Sequence, residues 1–397
     1  MFHTWRWFGP PDKASLTDVR QSGAEGVVTA LHHVPAGELW TQDEIAKRRA
    51  MIEAGGLFWT VTESLPVSEE IKLQQGDWRD HVSAYAKSLE NLAAEGVFVV
   101  CYNFMPVIDW TRTDLGWPLP HHGTAMRFDL VDFAVFDIHL VARKGALQDH
   151  SPELVEAARE RFTAMPDDRR MGLISAITAG LPGTDRSLTL GDVHDALAAW
   201  QGASADTLAK HMADFLEEVI PVAERLGVRM CCHPDDPPVP LLGLPRIMST
   251  EADYRRLVSA VDSPSNGITL CTGSLGARSD NDLPGMMERL GPKVHFLHLR
   301  NVRRQPGPGD APYTSFFESD HLDGDVDMVA VIGSVLAEER RRRHEGRADW
   351  QIPMRPDHGH DLADDLKRGA QPGYPTVGRI KGLAELRGVE VALGTGV

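Results

Sequence analysis

Short apolar runs, each ending in a polar loop and followed by a helix that closes on glycine, recur along this chain of 397 residues. That rhythm constrains the fold most, because strands buried on both faces and joined by helices form a parallel sheet. Residues 26–31 read as a first strand, ending at His32 and His33. A helix follows from near Thr41, with Asp43 and Glu44 in its first turn, and closes at Gly55-Gly56. Residues 57–61 read as a second strand, with Glu63 just past its end. A helix over 78–94, capped by Gly96, leads to a third strand at 97–102.

From 109 to about 201 no run reads cleanly as a strand. Residues 133–140 and 171–178 fit strand and helix equally, and Gly180 is available as a helix cap. The region reads as a mostly helical insertion, or lid, that hides strand four. The rhythm returns with a helix over 207–225, closed by Gly227, and strands at 228–232, 268–271, 294–298 and 351–354. Between the last two lie a basic Pro/Gly-rich loop at 303–312 and a basic helix carrying Arg340 to Arg343. No Gly-x-Gly-x-x-Gly follows the first strand, so a dinucleotide-binding sheet has no support. The fold class predicted is α/β: a single (β/α)8 TIM barrel over the whole chain, with the helical insertion between strands 3 and 5.

A formal charge of −16 argues against nucleic acid or an anionic membrane as partner, since both need a basic face. No apolar run approaches a membrane span, and the first residues lack a signal-peptide pattern. The four cysteines form no Cys-x-x-Cys, which favours a reducing cytoplasm over a disulfide framework.

At the carboxyl ends of four successive predicted strands stand His233, Cys271, His298 and Asp357. In a barrel those ends converge on one mouth. Two imidazoles, a thiolate and a carboxylate suit Mn, Fe(II), Co or Zn and disfavour Mg or Ca. Singly, each has a duller explanation: a buried small hydrophobe, a core histidine, a helix cap. Cys232, beside His233, drops out because neighbouring strand residues face opposite ways. Arg300 and Asn301, two and three residues past His298, are candidates for binding substrate, as is Asp235 in the stiff loop Pro234-Asp235-Asp236-Pro237-Pro238. His32, Trp110 and Arg112 are weaker mouth-lining candidates, with His33 and Glu63 beside them. His358 adjoins Asp357, and Tyr374 lies on the rigid turn Pro372-Gly373-Tyr374-Pro375. A proton donor and acceptor beside a Lewis acid suit removal of a proton alpha to a carboxylate.

Several stretches together resemble one family. They are Cys232-His233-Pro234-Asp235-Asp236-Pro237-Pro238, Cys271-Thr272-Gly273-Ser274-Leu275-Gly276, His298-Leu299-Arg300-Asn301 and Arg355-Pro356-Asp357-His358-Gly359. The opening Thr4-Trp5-Arg6-Trp7-Phe8-Gly9 and the closing Gly382-Leu383-Ala384-Glu385-Leu386-Arg387-Gly388 extend the match to both ends. The chain is similar to the mannonate dehydratases of the xylose-isomerase-like barrel type. The resemblance implies a Mn(II)- or Fe(II)-dependent lyase that converts D-mannonate to 2-dehydro-3-deoxy-D-gluconate and water. It places the family's metal ligands on His233, Cys271, His298 and Asp357, and its acid/base pair on His358 and Tyr374. A cytoplasmic homodimer is the assembly it suggests. A sugar isomerase or epimerase on the same barrel, a dehydratase of a neighbouring aldonate, and a non-catalytic sugar-acid binder stay open at this point.

Overall fold

The computed structural model describes all residues except 109, 180–187, 309–310 and 395–397. The helix cap expected at Gly180 lies outside the described residues. In chain order the strands are β1 (Phe2–Arg6), β2 (Gly26–Thr29), β3 (Phe58–Glu63), β4 (Val99–Tyr102), β5 (Asp114–Pro118), β6 (Thr124–Phe128), β7 (Arg229–Cys232), β8 (Asn266–Cys271), β9 (Val294–His298), β10 (Asn301–Arg304), β11 (Phe316–Ser319) and β12 (Pro353–Arg355). Eight of them close a parallel barrel in the order β1-β12-β9-β8-β7-β4-β3-β2, and helices surround it. The barrel expectation therefore holds.

The eighth barrel strand is not where the sequence placed it. It is β1, at the very start of the chain, paired with β2 and β12. Phe2-His3-Thr4-Trp5-Arg6 lacks an apolar run because several of its buried groups are polar. Thr4 Oγ1 donates to Met354 O at 2.8 Å, and Arg6 reaches Glu63 at 3.2 Å. Trp5 is fully buried, with the Arg379 guanidinium 3.9 Å from its ring centroid. Among the described residues, 103–228 contribute no barrel strand.

That insertion is not purely helical either. β5 and β6 form an antiparallel hairpin that joins β11 and β10 in a second sheet, ordered β10-β11-β6-β5. Gly116, Pro118 and Arg127 blur the alternation that would mark these strands. β10 likewise runs through residues read as loop. The ambiguous residues resolve as helix: Leu130–Val135 continues into a π-helical turn at Phe136–Leu140, and Asp167–Ile177 is an α-helix.

Two layers of packing position the mouth. Inside the barrel, Val28, Val61, Cys101, Cys231 and Phe296 form one buried cluster. Outside, Val27, Val100, Cys232, Leu270 and Leu297 pack against the helices. Alternation thus turns Cys231 inward and Cys232 outward, leaving the next residue, His233, to face the mouth. The long helix Ala205–Leu226 shows the outer logic. Ser204 caps it, and Leu208, Met212, Phe215, Leu216, Val219 and Ala223 bury one face at helical spacing. Gly227 then ends it at φ 71°, where a side chain would be strained. Each fully buried Leu, Val or Phe of this stripe contributes roughly 1.5–3 kcal/mol relative to exposure.

Candidate active site

β7, β8 and β9 deliver His233, Cys271 and His298 to one point, with their ligand atoms all within 4.8 Å of one another. Neighbouring registers bring this about: Cys271 pairs with His298, and Cys232, just before His233, pairs with Ile268. His233 Nδ1 lies 2.7 Å from Pro234 O, so it carries the proton and leaves the Nε2 lone pair for the cluster. That Nε2 is 3.1 Å from His298 Nδ1. Burial pushes the His233 pKa down, favouring the neutral form a ligand requires. His298 Nε2 is buried without a hydrogen-bond partner, 3.4 Å from Glu63 Oε2. Two imidazoles and a cysteine sulfur in so small a space, with one ring nitrogen lacking a hydrogen-bond partner, fit a divalent transition ion.

Asp357 stands beside this group rather than within it. Its Oδ2 lies 3.7 Å from Cys271 Sγ and 3.1 Å from Arg300 Nη1, while Arg355 pairs with its other oxygen. Burial alone would raise its pKa, but Arg355, His358 and Arg300 outweigh that and hold it well below the usual range. Asp357 adopts φ 63°, a left-handed conformation that Asp tolerates better than most residues. It is fixed from both sides by guanidiniums.

The structure brings His358 and Tyr374 together, with His358 Nε2 3.3 Å from the Tyr374 hydroxyl. The partner the sequence did not reveal is Glu318, on β11 of the second sheet. Both its carboxylate oxygens lie 2.8 Å from His358 Nδ1. A carboxylate there accepts a hydrogen bond from Nδ1–H, keeping the proton on that nitrogen and leaving Nε2 as the basic one. Burial would raise the Glu318 pKa, yet Arg300, His358 and Arg112 hold it at about 2. Tyr374 goes the other way: burial pushes its pKa up to about 12, with Arg355 opposing. The phenol therefore keeps its proton at neutral pH.

Arg300 is the hub of the charged wall. Its Nη2 donates to Asp236 Oδ2 at 2.9 Å and to Ser274 Oγ at 3.1 Å, and its Nη1 faces Asp357 and His358. Room for it depends on Gly273, where an added Cβ would sit 1.9 Å from Arg300 Nε. Arg112 is fully buried and bridges Asp236 at 2.8 Å and Glu318 at 2.8 Å, so it braces the wall from behind.

A cavity of about 50 Å³ opens among these groups, with His233, Asp357, His358, Tyr374, Trp110 and Asp236 on its walls. A roomier cavity of about 280 Å³ lies at the opposite end of the barrel, beside Phe2, Arg229 and Pro353, where strands begin. Size does not identify the site here; the donors do. Other candidates do not line this cavity. The Asp235 carboxylate accepts from Met248 N–H and the Ser249 hydroxyl, both at 2.8 Å, and it is Asp236 that lines the cavity. The Asn301 amide donates to His321 O and Val326 O, bracing the start of β10. His32 is half-buried behind Arg6 and Phe8, with desolvation lowering its pKa well below normal, while His33 is exposed and pairs with Glu44. Glu63 does line the cavity, tied to Arg355 at 2.9 Å and 3.0 Å.

Arg6, Arg355 and Glu318 are the residues sequence reasoning missed. For Glu318 the available signal was alternation: in Phe316-Phe317-Glu318-Ser319 every second residue is buried. For Arg355 it was position, at the end of a barrel strand and two residues before Asp357.

Fold and site together define a (β/α)8 barrel whose strand ends gather side chains able to hold a metal ion, with a histidine–tyrosine contact beside them. Comparison with known proteins narrows the class. The model of the D-mannonate dehydratase (UxuA) family matches residues 1–396, and the chain belongs to that family. It is 56% identical over 396 residues to mannonate dehydratase 1 of Agrobacterium fabrum, covering 100% of this chain and 98% of the relative. It is 55% identical over 393 residues to the mannonate dehydratase of Rhizobium meliloti, covering 99% and 97%. The crystal structure of mannonate dehydratase from Streptococcus suis serotype 2 superposes with a TM-score of 0.75 at 31% identity, covering 100% of this chain and 94% of that one. The enzyme is a hydro-lyase acting on D-mannonate, which sets aside the isomerase and epimerase alternatives.

Proposed function

We propose that His233, Cys271, His298 and Asp357 hold Mn(II) or Fe(II), and that His358 and Tyr374 carry the proton transfers that turn D-mannonate into 2-dehydro-3-deoxy-D-gluconate and water. When bound, such an ion polarises the substrate carboxylate and offsets the second negative charge that develops as the C2 proton leaves. Arg300, with Asp236 on one side and Asp357 on the other, faces the same carboxylate and adds to that field.

His358 Nε2 accepts the C2 proton, because Nδ1 is committed to Glu318. Tyr374, a phenol with its pKa near 12, supplies the proton that lets the C3 hydroxyl depart as water. The C2–C3 enol then tautomerises to the 2-keto acid. The 3.3 Å contact between the two groups lets the proton taken by His358 restore the phenol, so the enzyme ends as it began. The observation that carries this reading is that contact, with Glu318 anchored behind it and the ligand cluster beside it.

The segment 109–201 is read as a lid within a single catalytic domain: Trp110 is on the cavity wall and Arg112 braces it, so the segment's start is part of the site. Substrate-binding roles fall to Arg300, Asp236 and Trp110. No helix among the described residues is long and apolar enough to cross a membrane, and the assembly is read as a cytoplasmic homodimer. Sedimentation velocity tests the dimer; a monomer at micromolar concentration contradicts it.

The direct test is anaerobic purification, thorough chelation, and assay of mannonate for 2-keto acid formation. Chelation abolishes turnover and Mn(II) or Fe(II) restores it. Turnover unaffected by chelation overturns the metal assignment.

A further inference from the structure

A second cluster of metal-ligand side chains lies outside the catalytic site: His121, Asp320 and His360, with ligand atoms all within 4.8 Å of one another. They come from three distant parts of the chain. His121 sits on the turn between β5 and β6, Asp320 follows β11, and His360 lies on the loop after β12. β6 is already tied to that loop, since Thr124 N–H donates to Asp361 O at 3.2 Å and Thr124 Oγ1 to Asp361 Oδ2 at 2.8 Å. The lid turn is thereby held against His360, and the two rings approach to 5.4 Å between centroids.

His360 is prepared as a ligand. It is 6% exposed, and its Nε2 lies 2.8 Å from Glu318 O, which fixes the proton on that nitrogen. The lone pair is then on Nδ1, which is buried without a hydrogen-bond partner and faces Asp320 Oδ1 at 3.5 Å. A lone pair aimed at a carboxylate is repulsive unless a cation lies between them. A backbone carbonyl on the far nitrogen is the arrangement metal-bound histidines use.

We propose that His121, Asp320 and His360 form a second metal site that takes a divalent ion with affinity for imidazole and carboxylate, such as Zn(II), and that the ion clasps the tip of the lid hairpin to the barrel. Two imidazoles and one carboxylate suit Zn(II), with water completing the coordination. Lys381 contacts the same Asp320 carboxylate and lies 3.1 Å from Glu385, so it shifts to Glu385 as the ion arrives. His121 accepts from Gly123 N–H at 3.1 Å and gives up that contact on binding; its ring is exposed.

The test starts from enzyme already loaded at its catalytic site, dialysed against low-micromolar Zn(II), with metal counted by mass spectrometry. The wild type binds one more zinc per chain than His121→Ala or Asp320→Asn, and its affinity for that ion exceeds theirs by at least about tenfold. Neither substitution touches the catalytic groups. Zinc also slows amide exchange across residues 114–128 in the wild type and leaves it unchanged in the two variants. Equal zinc in all three proteins, whether bound or absent, overturns the proposal, as does zinc-induced protection that survives His121→Ala.

Discussion

Glu318 orients His358 across two oxygens at 2.8 Å, and replacing it with Gln keeps the shape while removing the charge that holds the Nδ1 proton. Glu318→Gln is expected to lower kcat by on the order of 100-fold with little change in KM, because the loss falls on proton transfer rather than binding. An equal rise in KM with kcat preserved would place Glu318 in substrate binding instead. The two cysteines next in importance separate cleanly. Cys271→Ser strips the soft donor from the ligand cluster and is expected to lose tightly bound metal. Cys232→Ser changes a buried outer-face residue and keeps full metal content, which elemental analysis of both variants checks. At this scale much was legible. His233, Cys271, His298, Asp357, His358 and Tyr374 could be named from strand ends and motifs. Glu318 could not: alternation hints at its burial, but its meeting with His358 comes from a different sheet, a pairing that no local pattern encodes.

The insertion shows what an element can hide. Residues 133–140 fit two periodicities because they lie in a helix that widens to a π-turn, where Asp137 is fully buried. Burial would raise the Asp137 pKa, but hydrogen bonds from His150 at 2.9 Å and Arg143 at 2.7 Å and 2.8 Å outweigh it and hold it below the usual value. A depressed carboxylate pKa means stability present above the unfolded pKa, about 3.9, and lost as pH falls below it. Asp137→Asn is therefore expected to cost roughly 2–3 kcal/mol near neutral pH, with the gap to wild type closing below about pH 4. Denaturant melts at both pH values measure this; a gap independent of pH would mean the loss is packing alone. β5 and β6 escaped notice for a related reason. β5 is partly exposed and broken by Gly116 and Pro118, so it shows no clear alternation, and the hairpin joins a larger sheet only through β6, which pairs with β11.

For the whole molecule, the parallel barrel followed from seven strands with apolar runs and glycine-closed helices. The eighth, β1, was misplaced into the insertion because its inward groups, Thr4 and Arg6, are polar and serve the mouth and floor of the barrel. The strand that breaks the hydrophobic rule is one that feeds the site: Arg6 reaches Glu63, and Phe8 just beyond it meets the Tyr374 ring edge-on at 4.8 Å. The central claim is the division of labour, His358 as base and Tyr374 as acid. The measurement that tests it most directly is exchange of the mannonate C2 hydrogen for solvent deuterium by the two variants, followed by NMR. Tyr374→Phe is expected to wash deuterium into C2 while forming no 2-keto acid, and His358→Asn to do neither. Exchange by His358→Asn with none by Tyr374→Phe would contradict the account and reverse the roles.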